Sequence, residues 1–210
     1  MNLLVIGATG GTGRAIVEQG LAMGHNVTAF VRDPRKMRIT HERLTVVVGD
    51  VLDQNSVVRA VEGKDAILSA LGHKRWFIHS NILSEGTRNI ITAMERKGVK
   101  QFICETSLGV GDSRGRLGLY YTLFVIPVIT FFYFRDKERQ ELLIRESVLD
   151  WVIVRPGQLT NGRQGRPYRH GEELGSFILT VTISRADVAE FMLRQLSDHT
   201  YLRKAVAVAY

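Results

Sequence analysis

Gly7, Gly10 and Gly13 recur at three-residue intervals in GATGGTG, directly after the apolar run Leu3–Leu4–Val5–Ile6. A strand that turns through such a loop into a helix presents unpaired backbone N–H groups and the positive end of a helix dipole. That is a seat for a pyrophosphate. Gly7 would allow the tight turn, Gly10 would let backbone approach phosphate, and Gly13 would let the helix lie close to the strand. Gly11 adds backbone freedom, and Thr9 and Thr12 carry hydroxyls able to donate to phosphate. A glycine triplet also makes ligand-free turns, so context decides. Here the loop follows one apolar run, opens a helix-period segment, and is followed at the right distance by a second run, Val27–Val31. The expectation is a dinucleotide-binding loop.

That second run ends in Phe30-Val31-Arg32-Asp33-Pro34. An acidic residue about 20 positions beyond the glycines would accept from the ribose hydroxyls of NAD(H). Arg32 occupies this neighbourhood instead. A guanidinium pairs with a 2′-phosphate and stacks on adenine. With Arg14, Arg35 and Lys36 adding positive potential, NADP(H) is the expected cofactor and NAD(H) the alternative. Asp33 competes on paper, but Asp-Pro initiates turns.

A third constellation lies downstream. Tyr133-Phe-Arg-Asp-Lys137 places a phenol and an ammonium four residues apart, on one face of a helix. Such a lysine lowers the phenol pKa, so that tyrosine can exchange a proton with a carbonyl oxygen. Ser107 supplies a hydroxyl upstream. Tyr133 closes a very apolar run, so the alternative is a pocket-wall aromatic. Lys137 then either stands near the cofactor or forms surface pairs with Asp136, Glu138 and Glu141.

Alternating elements must position these residues. Leu3–Ile6, Val27–Val31, Leu44–Val48, Ala66–Ser69, Gln101–Cys104 and Trp151–Val154 read as short apolar strands. Helix-period segments separate several of them, clearest at 12–23, 56–61 and 82–97. Continuous apolar strands alternating with helices predict an α/β protein: a Rossmann-like, doubly wound parallel sheet with helices on both faces. One domain is expected over 1–210, with a further helix near 185–196 and a last strand near 205–209.

The ordered set GATGGTG, FVRDP, VVVGDVLD (46–53), GKDAILSALG (63–72), SEGTRNIITAMERKGVK (84–100) and TSLGVGDSRG (106–115) resembles the atypical short-chain dehydrogenase/reductase family, in the branch of biliverdin reductase B and flavin reductase. The resemblance covers about 1–110 and again about 136–195. It implies that Asp50 and Val51 lie at the adenine and that Ala70, Leu71 and Gly72 run along the ribose and phosphates. It also implies that Thr106 and Ser107 flank the nicotinamide, with Arg155, Pro156 and Gly157 closing that side. The branch is not built around a catalytic tyrosine, and the histidine it carries after the sixth-strand proline is missing here, where the chain reads Arg155-Pro156-Gly157-Gln158. Hydride delivery to a conjugated acceptor needs mainly orientation. A small planar hydrophobic acceptor such as a flavin, bilin or quinone is therefore the expected substrate. Two alternatives are a non-catalytic NADP(H)-sensing scaffold and a Tyr133/Lys137 dehydrogenase or isomerase.

Residues 117–134, LGLYYTLFVIPVITFFYF, form eighteen positions without a charge, long enough for a membrane candidate. Predicted strands of one sheet lie on either side, which argues against a span. The segment 108–135 is expected to be a pocket wall or lid. An exposed patch for dimerisation or membrane contact is the other reading, and Pro127 is expected to interrupt any helix there.

The bulk properties narrow the classes. The chain has 210 residues, 45% hydrophobic and 23% charged, with a net charge of +7. Its basic residues are scattered, with no basic run interleaved with aromatics, so nucleic acid is not an expected partner. One cysteine, Cys104, precludes an intrachain disulfide or a cysteine metal cluster. Strand and glycine loop occupy the first residues, so no signal peptide is expected and the cytoplasm is the expected compartment. A monomer or homodimer is compatible with this composition.

Overall fold

The computed structural model describes residues 1–73 and 79–210. The chain runs β1 (Asn2–Ile6), α1 (Gly11–Ala22), β2 (Asn26–Val31), β3 (Leu44–Val48), α2 (Gln54–Val61), β4 (Ala66–Ser69), α3 (Ile82–Lys97) and β5 (Gln101–Glu105). A π-helical stretch, Tyr121–Ile129, then leads into α4 (Phe131–Glu146) and β6 (Asp150–Pro156). Beyond it come β7 (Gln158–Thr160), β8 (Arg169–Gly171), β9 (Thr182–Ser184), α5 (Arg185–Arg194) and β10 (Lys204–Ala209).

The main sheet has the order β3-β2-β1-β4-β5-β6-β10-β8, parallel except for the β10–β8 pair. Strand direction and order match the doubly wound expectation. Leu3 and Val5 face one layer, packed with α1 and α5. Leu4 and Ile6 face the other, packed with Val57, Ile90 and Ile144 of α2, α3 and α4. A strand covered on both faces must be apolar at consecutive positions, which is why these runs carry no alternation. Cys104 belongs to the second layer, and burial pushes its thiol up to about 12, so it behaves as a packed apolar group.

The region between β5 and β6 departs most from expectation. Pro127 does not stop helical structure. It sits inside the π-helical stretch, and the chain is interrupted only at Thr130, whose N–H donates to Val125 O at 2.9 Å. Proline removes one backbone donor, and the wider i→i+5 pattern accommodates that loss within a single short stretch. The following helix, α4, was not apparent as an amphipathic pattern. Its buried face includes Asp136, Lys137, Gln140 and Glu141 beside Phe134 and Ile144.

Candidate functional site

Because seven consecutive strands of the sheet are parallel, the loops after β1 to β6 all leave from one edge. The strand order reverses between β1 and β4, and a crevice opens there. Gly7 occupies it with φ +79°, and a Cβ at this position would lie 2.4 Å from Ala70 O. A side chain is excluded by both conformation and space. A Cβ on Gly13 would approach Gly7 O at 2.1 Å, so α1 rests directly on the loop backbone. Gly10 caps α1 with no side-chain hydrogen bond, and no acidic residue occupies the first turn. Neither the cap nor the first turn of α1 thus supplies a carboxylate to its N-terminal N–H groups and dipole.

Thr9 and Thr12 differ. Thr12 is buried and its hydroxyl donates to Glu105 Oε1 at 3.1 Å, so only its backbone faces the helix terminus. Thr9 is half-buried. Arg14 is exposed on the first turn of α1. A Cβ on Gly11 would meet Arg185 Cδ at 2.4 Å, so the Arg185 side chain lies across the loop. Its guanidinium donates to Asn161 Oδ1 at 2.7 Å. Arg185 was absent from the sequence expectations. Only the doubly wound topology carries the start of α5 to the glycines, and no local signal announces it.

Arg32 is exposed at the end of β2 and makes no carboxylate ion pair among the described residues. Asp33 is occupied locally. It accepts from Arg35 N at 3.2 Å and Arg35 Nε at 2.9 Å, capping a short 3-10 turn, and this hydrogen bond holds its carboxyl below the usual range. After β3, Asp50 accepts from Leu52 N at 3.0 Å, and Val51 is buried against Gly86. Ala70 and Leu71 are half-buried and Gly72 exposed after β4.

At the ends of β5 and β6 the side chains divide into inward and outward groups. Thr106 is buried, its hydroxyl donating to Glu141 Oε1 at 2.7 Å. Half-buried Ser107 donates to Leu108 O at 3.0 Å. Arg155 turns away from the crevice into the protein. It donates from Nε to Glu141 Oε1 at 3.0 Å, and from Nη2 to Glu141 Oε2 and Asp112 Oδ1, both at 2.6 Å. Burial opposes the guanidinium charge, but Glu141 and Asp112 outweigh it and raise the Arg155 pKa. Pro156 is buried, and a Cβ on Gly157 would meet Val181 O at 2.6 Å.

Tyr133 and Lys137 come together on α4, beside the loop after β4. The Tyr133 hydroxyl lies 3.6 Å from where a Gly72 Cβ would stand. The ring meets His73 edge-on at 5.0 Å, and Lys137 Nζ lies 5.2 Å from its centroid. Lys137 is buried, so the surface pairing with Asp136, Glu138 and Glu141 is corrected. Asp136 bonds Leu83 N and Ser84 N of α3, Glu138 takes Arg114, and Glu141 takes Arg155. Burial works against the Lys137 charge, yet Tyr133, Glu105 and Cys104 hold the ammonium above its ordinary range. Burial raises the Glu105 carboxyl, with Lys137, Thr12 and Arg185 pulling the other way. Glu105 therefore connects the glycine-loop helix, through Thr12, with the surroundings of Lys137.

The family model described as NAD(P)H-binding matches residues 7–199. The photosystem II assembly factor Ycf39 of Synechocystis is 33% identical, over 99% of this chain and 62% of its own length. This chain spans about six tenths of the length of the curated relatives it matches first. Among solved structures, the anaerobilin reductase ChuY of Escherichia coli O157:H7 superposes with a TM-score of 0.82 at 24% identity, covering 100% of this chain and 97% of that one. A short-chain dehydrogenase/reductase from Veillonella parvula in complex with NADP superposes with a TM-score of 0.83 at 19% identity, covering 100% and 94%. With a glycine-rich crevice at the strand reversal of a Rossmann-type sheet and a family match over nearly its whole length, the chain belongs to the NAD(P)H-binding family.

Proposed function

We propose that this protein is an NADPH-dependent reductase that delivers hydride to a planar conjugated acceptor, a flavin, bilin or quinone. The observation that carries the reading is the crevice itself. Gly7 and Gly13 leave no room for side chains, and the uncapped terminus of α1 faces a loop crossed by Arg185. This cradle fits a dinucleotide pyrophosphate: backbone N–H groups of the α1 terminus bind it, and Arg185 and Arg14 complement its charge. Arg32 has no acidic partner competing for it among the described residues and is free to hold a 2′-phosphate. Asp50 and Val51 border the adenine, Ala70 to Gly72 the ribose and phosphates, and Thr106, Ser107, Pro156 and Gly157 the nicotinamide. When bound, NADPH supplies the hydride.

The chain's own part is orientation and exclusion of water. Leu108, Val110, Leu117 and Phe134 form a buried apolar cluster beyond Ser107, with Tyr133 packed against it. In this reading part of 108–135 walls the acceptor side within one domain. Ser107 can redirect its hydroxyl from Leu108 O to the acceptor. A conjugated acceptor spreads the incoming charge, so solvent can supply the proton. The bilin chemistry of the structurally similar anaerobilin reductase supports a flat acceptor.

NADPH oxidation by the purified protein with FMN, riboflavin, a quinone and biliverdin, each also tried with NADH, tests the proposal. Turnover with at least one acceptor is expected. Tight NADPH binding without oxidation of any of them would favour the sensing-scaffold alternative. Arg32→Ala is expected to weaken NADPH by about 10- to 100-fold, the range of a lost charge-assisted hydrogen bond, and NADH much less. Equal loss of both, measured by fluorescence titration, would remove Arg32 from the 2′-phosphate.

One observation favours a second mechanism. Tyr133 reaches the Gly72 side of the crevice with the buried Lys137 ammonium beside its ring. In that version Tyr133 donates the proton and Lys137 eases its release. Tyr133→Phe would then lower kcat by about 100-fold or more with NADPH affinity retained. Unchanged turnover would leave Tyr133 as pocket wall.

A further inference from the structure

The apolar stretch after β5 is only partly consumed by the interior. Leu117 and Phe134 are buried, but the π-helical stretch between them has no buried residue. Leu123, Phe124 and Val128 stand 49% to 67% exposed. A second segment joins them. Phe177, Ile178 and Leu179 are 66% to 76% exposed, and Leu119 N donates to Ile178 O at 3.2 Å, with Ser176 N on Arg116 O at 2.8 Å. The hydrogen bonds at Arg116 and Leu119 thus set two exposed apolar segments, distant in sequence, side by side, and within the first of them Tyr120 stacks on Phe124 at 5.8 Å. Contiguous exposure of this kind marks a contact surface rather than ordinary scattered apolar residues.

The charges around the face indicate what covers it. No charge lies within 117–134, and Arg114, Arg116, Arg135 and Arg139 bracket that stretch. Asp136 and Lys137 between them are buried and Glu138 pairs with Arg114, while before the second segment Glu172 pairs with Lys204 and Glu173 is exposed, which leaves Arg116, Arg135 and Arg139 as the positive rim. Arg135 leans on the Phe131 ring at 5.7 Å and Arg116 donates to the carbonyl of Glu172, neither neutralised by a carboxylate among the described residues. An aromatic, apolar tip with an arginine rim matches the boundary between acyl chains and anionic headgroups. A second copy fits less well, because two-fold pairing of this face would bring two arginine rims together. Among the described residues no helix is long and apolar enough to cross a membrane, so the face would lie on the bilayer.

We infer that the joined face of Leu123, Phe124, Val128 and Phe177–Leu179 seats this protein on an anionic lipid surface. The inference stands independently of the reductase reading. It is tested by co-sedimentation of the full chain at low salt with phosphatidylcholine vesicles and with mixed phosphatidylcholine–phosphatidylglycerol vesicles. Binding is expected to favour the anionic vesicles by about tenfold or more. The paired substitutions Leu123→Ser/Phe124→Ser and Ile178→Ser/Leu179→Ser should each weaken it by about tenfold or more. Arg116→Gln/Arg135→Gln should reduce the preference for anionic lipid. Unchanged thermal unfolding of each variant, followed by circular dichroism, separates lost docking from lost folding. No binding to anionic vesicles, or binding indifferent to both serine pairs, would overturn the inference. So would serine pairs that only convert a homodimer to monomer in light scattering, since a second copy would then be the occupant.

Discussion

Arg155→Ala is expected to destabilise the protein by about 3–5 kcal/mol, the cost of leaving a buried charge without its partner. Arg155 and Glu141 are 1% and 4% exposed at their side chains, and their contact is 2.6 Å. Removing the guanidinium strands the Glu141 carboxylate with, among the described residues, only the Thr106 hydroxyl. The second arm of the arginine, to Asp112, has the same 2.6 Å length but a partner 71% exposed. Solvent screens that arm, so Asp112→Asn is expected to cost under about 1 kcal/mol. Equal contact lengths therefore predict unequal losses, and burial decides between them. The double variant Arg155→Met/Glu141→Leu removes both charges and should cost far less than the sum of the single changes. Urea unfolding of the wild type, Arg155→Ala, Asp112→Asn, the double variant and its two single variants Arg155→Met and Glu141→Leu measures this. A loss at Asp112 as large as at Arg155 would refute the assignment.

The second large effect is expected at Gly13. Gly13→Ala places a methyl group 2.1 Å from Gly7 O and 3.0 Å from Ala8 Cα. Neither neighbour is a side chain able to rotate away, so α1 must shift from the loop. Overpacking in a formed interior costs about 1–3 kcal/mol, and a backbone obstacle puts this substitution at the upper end or beyond. The accompanying displacement of the α1 terminus, of the order of 1 Å, is expected to weaken NADPH by about 100-fold. Gly20→Ala, two turns along the same helix, provides the contrast. Its new Cβ meets nothing closer than 3.4 Å, and alanine is favoured over glycine in a helix by up to about 1 kcal/mol. It should be neutral or stabilising and leave NADPH affinity unaltered. Comparable affinity losses at both positions would show that helix stability, rather than the loop contact, governs the site.

Both effects depend on features with different visibility in the chain. Strands β1, β2, β4, β5 and β6 were legible because each is covered on both faces and so must be almost continuously apolar, whereas the edge strand β3 was legible by its β-branched run although it stays largely exposed. The glycine loop was legible because turn, close approach and helix start are local demands on adjacent residues. From these alone follow the doubly wound sheet, the edge that carries the site and the glycines at its reversal point.

The tertiary structure decided where the polar groups went. Asp136, Lys137, Gln140 and Glu141 look like the wet face of a helix in sequence, yet they form the buried face of α4. Three of them find a partner on another element: Asp136 caps α3, Gln140 reaches Thr87, and Glu141 holds Arg155, while Lys137 lies beside the Tyr133 ring of its own helix. A hydropathy pattern records the cost of burying a charge but not the distant group that offsets it. For the same reason the sequence could not show that Arg185 lies across Gly11, or that the Thr12 hydroxyl is spent on Glu105. The converse holds for the stretch after β5, which is apolar enough for an interior but is left exposed on the π-helical turn. Local covalent and steric rules determine the strands and the loop. Long-range pairing, which no single segment contains, determines which charges are buried and which apolar residues are not.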